Sequence, residues 1–132
     1  MLVTASSYWM YPKSFIYFGV LHGMAANSVD CFGAGANDVV LPVVPMFHAN
    51  AWAIAFMGPM AGSKLVMPGP KLDGQSIYEL IESEGVTFSA AVPTGCLMLL
   101  NHLRENKLKI PTLKKVIIGG SAVPEAVSIA PL

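Results

Sequence analysis

The chain has 132 residues, of which 54% are hydrophobic and only 12% are charged, and its formal net charge at neutral pH is zero. This balance excludes a nucleic-acid-binding protein with a basic surface, because no stripe of Lys and Arg is available to neutralise phosphates. A fold of this length buries only about two-thirds of its unfolded surface. The apolar fraction therefore predicts a piece of a larger domain, or a protein that lies against a partner or a membrane.

Short apolar runs alternate with helical patterns along the chain. This order predicts an α/β fold in which a parallel or mixed sheet is flanked by helices. The predicted strands cover residues 39–41, 64–67, 86–90 and 115–118. The predicted helices are a short buried helix over 51–57, a helix that Asp73 caps and Gly85 ends, a helix from Pro93 to about Asn106, and a last helix that begins near Pro124. The helix from Pro93 has an apolar stripe of Leu97, Leu100 and Leu103, which Met98 and Leu99 widen. No repeat or linker divides the sequence, so we predict one incomplete domain.

A membrane span is the main alternative for the uncharged run over residues 39–63, which is long enough to cross a bilayer. Pro42, Pro45 and Pro59 interrupt this run, and a helix through them would lose backbone hydrogen bonds that lipid cannot replace. We therefore predict no transmembrane span and a cytoplasmic protein. Cys31 and Cys96 fit that location, because they match no metal or redox spacing and are expected to be reduced thiols.

A glycine turn follows the last predicted strand. The apolar residues 116–118 run directly into Gly119, Gly120, Ser121 and Ala122. In open α/β sheets, ligands bind at the carboxyl ends of strands, where a backbone with few side chains permits close approach. The same glycine pair is also typical of an ordinary tight turn, because Gly tolerates a positive φ.

Four segments together resemble the adenylate-forming, or AMP-binding, superfamily. They are residues 41–52, 64–70, 86–94 and 116–124, in this order and at these separations. The likeness covers about residues 21–130 and is greatest to the fatty-acyl-CoA ligases of medium or long chain length. It implies that residues 1–132 are a central fragment of the N-terminal domain of such an enzyme, and that residues 1–20 are a degraded phosphate-loop region.

The resemblance also implies which residues bind the substrate. His48 and Trp52 would border the acyl pocket, and the wall that receives the adenine and the acyl group would be Gly119, Gly120, Ser121 and Ala122. Trp52 follows His48 by four residues, so we expect both on one face of a helix. We also expect Trp52 and the glycine turn to lie at the same edge of the sheet. A structural histidine and a core aromatic residue are the plain alternatives for His48 and Trp52.

For the nucleotide, the resemblance implies a phosphate loop rich in glycine and hydroxyl groups. Aligned on Pro12 and Lys13, residues 6–14 keep only Ser6, Pro12 and Lys13 of that pattern, and aromatic side chains replace residues that would approach the phosphates. Ser6, Lys13 and Thr94 remain the candidate cofactor-binding residues. Thr94 has an alternative role, because a threonine beside Pro93 can cap the following helix.

The function that the resemblance implies is activation of a fatty acid with ATP, Mg²⁺ and CoA, through an acyl-adenylate. The family's metal-binding glutamate and assisting lysine have no counterpart within the 132 residues, so we expect the isolated chain to be inactive. Fatty acid and acyl-adenylate are the implied ligands, and the rest of a synthetase is a possible docking partner. The alternatives are an acyl- or nucleotide-binding remnant without activity and a small membrane-associated protein.

Overall fold

The computed structural model describes residues 21, 23–25, 27 and 32–122. Ser6, Lys13 and the helix predicted near Pro124 lie outside these residues. In chain order the elements are β1 (Val39–Val43), α1 (Ala49–Trp52), α2 (Ile54–Ala61), β2 (Lys64–Leu65), α3 (Gly74–Glu84), β3 (Phe88–Ala91), α4 (Pro93–Asn106) and β4 (Lys115–Ile118).

The chain divides into two compact units. Among the described residues, one contains those up to Asp38 together with 44–65, and the other contains 39–43 together with 66–122. In the first unit, Ser63 donates its hydroxyl to the carbonyl oxygen of Gly35 at 2.8 Å. Ile54 and Met57 of α2 are fully buried.

A parallel sheet forms the centre of the second unit. β1 pairs with β3 and β3 pairs with β4, both in parallel. Val66, the residue after β2, donates its N–H to the carbonyl oxygen of Val40 at 2.9 Å, and the strand order is β2-β1-β3-β4. The predicted α/β class, a parallel sheet with flanking helices, is therefore confirmed.

The strand boundaries differ from the predicted ones by up to two residues. β1 continues through Pro42 to Val43, because Pro42 keeps its place in the register opposite Ala90 although it has no N–H to donate. β2 is shorter than predicted, and β3 begins at Phe88. The predicted bounds of β4 are confirmed.

Helix α3 forms as the sequence predicts. The Asp73 carboxylate accepts hydrogen bonds from the Ser76 N–H at 3.0 Å and from the Ser76 hydroxyl at 2.9 Å, which caps the helix. Gly85 ends it with φ of 65°. Ile77 and Ile81 are buried, whereas the glutamates at 79 and 82 are exposed, so one apolar face packs inward.

Helix α4 has the predicted length, but only part of its predicted apolar stripe is buried. Leu99, Leu100 and Leu103 are buried, Leu97 is only half-buried, and Met98 is 46% exposed. A helix has 3.6 residues per turn, so a strict spacing of three drifts around it. The core between the sheet and these helices includes Leu41, Val43, Val66, Ile77, Ile81, Val86, Ala91, Leu99, Leu103, Ile110 and Leu113.

Gly74 lies where α3 and α4 approach closely, and substitution there tests the packing. A Cβ atom at Gly74 would lie 2.9 Å from Cβ of His102 and closer still to the backbone of Met98. We expect Gly74→Ala to lower the free energy of unfolding by about 1–3 kcal/mol, as overpacking typically does. Gly69→Ala is the control, because no atom lies within 4 Å of its added Cβ. Urea unfolding of both variants measures this, and equal stability would contradict the packing.

Asp73 gives the stability of the chain a pH dependence. The hydrogen bond from the Ser76 N–H, and then that from the Ser76 hydroxyl, lower the pKa of Asp73 from its ordinary value of 3.8. The ionised carboxylate therefore stabilises the fold above that value, and this contribution is lost as the pH falls through the lowered pKa.

We expect Asp73→Asn to reduce the loss of stability between neutral pH and a pH below 3.8, because Asn caps helices without titrating. Urea midpoints at the two pH values measure the difference. Glu82→Gln, an exposed change on the same helix, should leave the loss unchanged. The same acid sensitivity in Asp73→Asn as in the unsubstituted chain would show that the cap does not titrate with folding.

Candidate functional site

The carboxyl ends of the three parallel strands β1, β3 and β4 lie side by side at one edge of the sheet. Val43 of β1 is the partner of Ala91 in β3, and Ala91 is the partner of Ile118 in β4. All three strands belong to the second unit. The carboxyl ends of parallel strands are where open α/β sheets bind ligands.

The glycine turn begins directly at this edge. Gly119 donates its N–H to the carbonyl oxygen of Ala91 at 3.3 Å. Gly120 has φ of 93°, and a Cβ atom there would lie 3.4 Å from Cγ1 of Val92. Ser121 and Ala122 are exposed. The turn thus needs a glycine at 120, and it presents open backbone at the carboxyl edge.

Thr94 lies at the same edge, but it does not cap the helix. The N-cap of α4 is Val92, and no side chain makes a capping hydrogen bond there. The capping alternative for Thr94 is therefore wrong, because Pro93 occupies the first helical position and places Thr94 inside the first turn. The Thr94 side chain is exposed, so it is available to a ligand.

The remaining predicted site residues belong to the first unit. The His48 side chain is exposed, and the backbone N–H of His48 donates to the carbonyl oxygen of Pro45 at 3.0 Å. Phe47 is 69% exposed, and Trp52 is half-buried. Since the glycine turn belongs to the second unit, its proximity to Trp52 stays a prediction.

A left-handed turn carries Trp52. The φ angles of Ala51, Trp52 and Ala53 are 51°, 55° and 66°. This conformation costs about 1–2 kcal/mol for each residue with a Cβ atom. The single helix predicted over 51–57 is therefore interrupted at Ala53, since α1 ends at Trp52 and α2 begins at Ile54. The expectation that His48 and Trp52 share a helical face fails for the same reason, because it assumes a continuous right-handed helix.

An apolar cavity of about 50 Å³ lies between the sheet and helices α3 and α4. Its lining includes Val43, Ser89, Ala91, Cys96, Leu99 and Val116. The Ser89 hydroxyl already donates to the carbonyl oxygen of Leu41 at 2.8 Å. Burial raises the pKa of the Cys96 thiol, and a protonated thiol is a poor nucleophile. This cavity thus has the character of core packing and not of a reactive site.

The described part of the chain contains no group of three His, Cys, Asp or Glu residues that could hold a metal ion. Within that part, no helix is both long and apolar enough to cross a membrane. Sequence patterns did not single out Val92, which lies beneath Gly120, or the buried alanines on either side of Trp52 in the first unit. Alanine gives no signal for a positive φ, which explains why the left-handed turn was missed.

Comparison with known proteins gives three findings. The AMP-binding enzyme family matches residues 14–130. The long-chain-fatty-acid–CoA ligase of Thermus thermophilus is 46% identical over 118 residues, which are 87% of this chain and 22% of that protein. The medium-chain-fatty-acid–CoA ligase of Ectopseudomonas oleovorans is 45% identical over 116 residues, which are 86% of this chain and 21% of that protein.

The fold is also found in solved structures. The inhibitor-bound N-terminal domain of FACL13 from Mycobacterium tuberculosis superimposes with a TM-score of 0.70 at 26% identity, covering 83% of this chain and 27% of that one. This chain spans about a fifth of the length of the curated relatives that it matches. The family match extends over most of the sequence, and the parallel sheet has the matching fold. The resemblance in the four segments is thereby confirmed, and the chain belongs to the family of AMP-binding enzymes.

Proposed function

We propose that this chain is part of the N-terminal domain of an AMP-forming fatty-acid–CoA ligase, in which it forms part of the acyl-adenylate pocket. The observation that carries the proposal is the level carboxyl edge, where the Gly119–Gly120 turn follows β4 beside the end of β3. The identity to long- and medium-chain fatty-acid–CoA ligases supports this substrate class.

In such an enzyme, the fatty-acid carboxylate attacks the α-phosphate of ATP, which gives acyl-adenylate and releases pyrophosphate. The thiol of CoA then displaces AMP and leaves the acyl thioester. The role of the described residues in these steps is to position the substrate. Open backbone at residues 119–122 permits close approach of a flat base and of an acyl chain, and its polar groups can pair with the nucleotide.

We assign His48 and Trp52 to the acyl group of the substrate. Both are accessible enough to meet a ligand, since His48 is exposed and Trp52 is half-buried. Thr94, Ser6 and Lys13 are proposed for the nucleotide. Thr94 fits because its exposed hydroxyl lies in the first turn of α4, where backbone N–H groups favour anions.

Mg²⁺ is implied by the family, but the described residues do not offer it a set of ligands. We therefore assign no residue of this chain to the metal. Because stabilisation of the transferring phosphoryl group needs cations in place, we also propose that the isolated chain does not turn over. We also propose a cytoplasmic location and docking to the rest of a synthetase.

A binding remnant without activity is the second candidate function. It is favoured by the same open backbone edge, which can receive a ligand without a complete phosphate site. Both candidate functions, a segment of the ligase and a binding remnant, predict that this chain binds an acyl group. They differ in whether the chain completes an active synthetase when it is joined to the remaining segments of the Thermus thermophilus relative.

Acyl binding can be measured through the fluorescence of Trp52. In a Trp9→Phe background, we expect a brominated medium-chain fatty acid to quench Trp52 saturably, because bromine quenches indole on contact. The control is the same titration of Trp52→Phe, in which the fluorescence of the remaining Trp9 reports quenching away from the site. Linear quenching without saturation would rule out an acyl pocket at Trp52. In parallel, ATP with the fatty acid should release no pyrophosphate, and acyl-AMP above a heat-killed control would contradict the proposed inactivity.

Gly120 tests the backbone edge. We expect Gly120→Ala to lower the free energy of unfolding by about 1–2 kcal/mol, because a residue with a Cβ atom is strained at positive φ and its Cβ would press on Val92. Thermal unfolding measures the change, with Gly69→Ala as the control in open space. If the two variants unfold at the same temperature, the turn does not require glycine.

A further inference from the structure

The sheet face that packs against α4 has small side chains at its middle strand. Successive side chains of a strand point to opposite faces, and Ser89 and Ala91 are the two residues of β3 that line the apolar cavity of about 50 Å³. Their neighbours are larger. Val43 of β1 and Ile118 of β4 flank Ala91 in the register, and both line the same cavity. The sheet therefore forms a depression along β3, beneath α4.

The first turn of α4 leaves this depression unfilled. Gly95 and Cys96 belong to that turn, and both line the cavity. The N–H groups of Gly95 and Cys96 donate to the carbonyl oxygen of Val92 at 3.0 Å and 3.2 Å, which fixes the turn. A residue without a side chain thus lies over the two small residues of β3.

Neither packing nor backbone conformation requires a glycine at position 95. An added Cβ atom would lie 3.9 Å from Cβ of Ala91 and 3.9 Å from Cγ1 of Val43, which is ordinary contact. Gly95 is not among the described glycines with a positive φ. At Gly74, in contrast, an added Cβ would overlap the backbone of Met98. Because glycine inside a helix is less stable than alanine, Gly95 lowers stability and leaves the space open, as is typical of functional sites.

The lining of the cavity determines which kind of molecule it can hold. The described residues that line it are uncharged, and the Ser89 hydroxyl already donates to the carbonyl oxygen of Leu41 at 2.8 Å. Cavities of this apolar kind stay dry, and one of about 150 Å³ binds benzene or xenon. A cavity of about 50 Å³ is therefore suited to an apolar molecule of only a few heavy atoms.

We propose that this cavity is a binding site for a small, uncharged, apolar molecule, and that Gly95 keeps it open. The site lies wholly within the second unit, and the proposal does not rest on the proposed function. Val43, Ala91 and Ile118 are the last residues of their strands. A ligand that binds only the folded state therefore stabilises the carboxyl edge of the sheet.

Xenon is the probe for the test, which uses the full chain and xenon NMR. Gly95→Ala is compared with Asn101→Ala, an exposed position of the same helix. We expect both variants to raise the thermal midpoint without xenon, by about 2–6 °C, because alanine favours the helix. This increase also shows that both variants fold.

Only Gly95→Ala should weaken the binding of xenon. We expect its affinity to fall about tenfold, because the added methyl group occupies volume that the ligand needs. Asn101→Ala should bind xenon as the unsubstituted chain does. Under xenon pressure, the thermal midpoint should rise in the unsubstituted chain and in Asn101→Ala, and less in Gly95→Ala.

A xenon signal that does not saturate, or equal xenon affinity in Gly95→Ala, would overturn the binding site. A thermal midpoint of Gly95→Ala below that of the unsubstituted chain would show that packing requires the glycine, and would overturn its role in keeping the cavity open. Displacement of bound xenon by the medium-chain fatty acid would make the cavity part of an acyl pocket and overturn a separate site.

Discussion

Thr87, the residue just before β3, fixes the register on which the rest of the second unit depends. Its N–H donates to the carbonyl oxygen of Val39 at 3.0 Å, and its hydroxyl accepts from the Val39 N–H at 3.0 Å. Its carbonyl oxygen accepts from Lys114 at 2.8 Å and from Lys115 at 3.1 Å. One residue thus aligns the amino ends of β1, β3 and β4. The rise per residue is nearly the same in each strand, so strands aligned at their amino ends also end side by side, at Val43, Ala91 and Ile118. The glycine turn after Ile118 therefore begins at an edge that a ligand can reach.

The helices of the second unit were predicted well from the sequence because they must bury one face of the sheet. The helix patterns after Asp73 and Pro93 have clear starts, clear ends and apolar residues at helical spacing, and each must cover the sheet. Gly74 lets α3 approach α4 closely, a requirement that no local pattern reveals. Within α4, Leu97 and Met98 of the predicted stripe are not buried, because a spacing of three drifts around a helix of 3.6 residues per turn.

The candidate site was predictable only in part. Gly119 and Gly120 were evident from the sequence, because glycine is the residue that a positive φ selects. The turn at Ala51–Ala53 gave no such sign, since alanine favours right-handed helix and predicts the opposite conformation. Tertiary burial of two methyl groups overrode that preference. Thr94 shows the converse error, because this residue is suited to capping but lies two positions after the N-cap residue Val92.

The positive φ angles at Gly120 and at Trp52 are maintained in different ways. The two positions are therefore expected to differ in their sensitivity to substitutions in the core. At Gly120 the positive φ is unstrained, so the open edge persists without support from neighbouring side chains. At Trp52 the positive φ is strained, so the conformation depends on the buried alanines and on the anchored start of α2. Loosening of the packing around α2 should therefore disturb the indole before it disturbs the glycine turn. The conformation at Trp52 is thus sensitive to core packing, whereas the conformation at Gly120 is set by local backbone geometry.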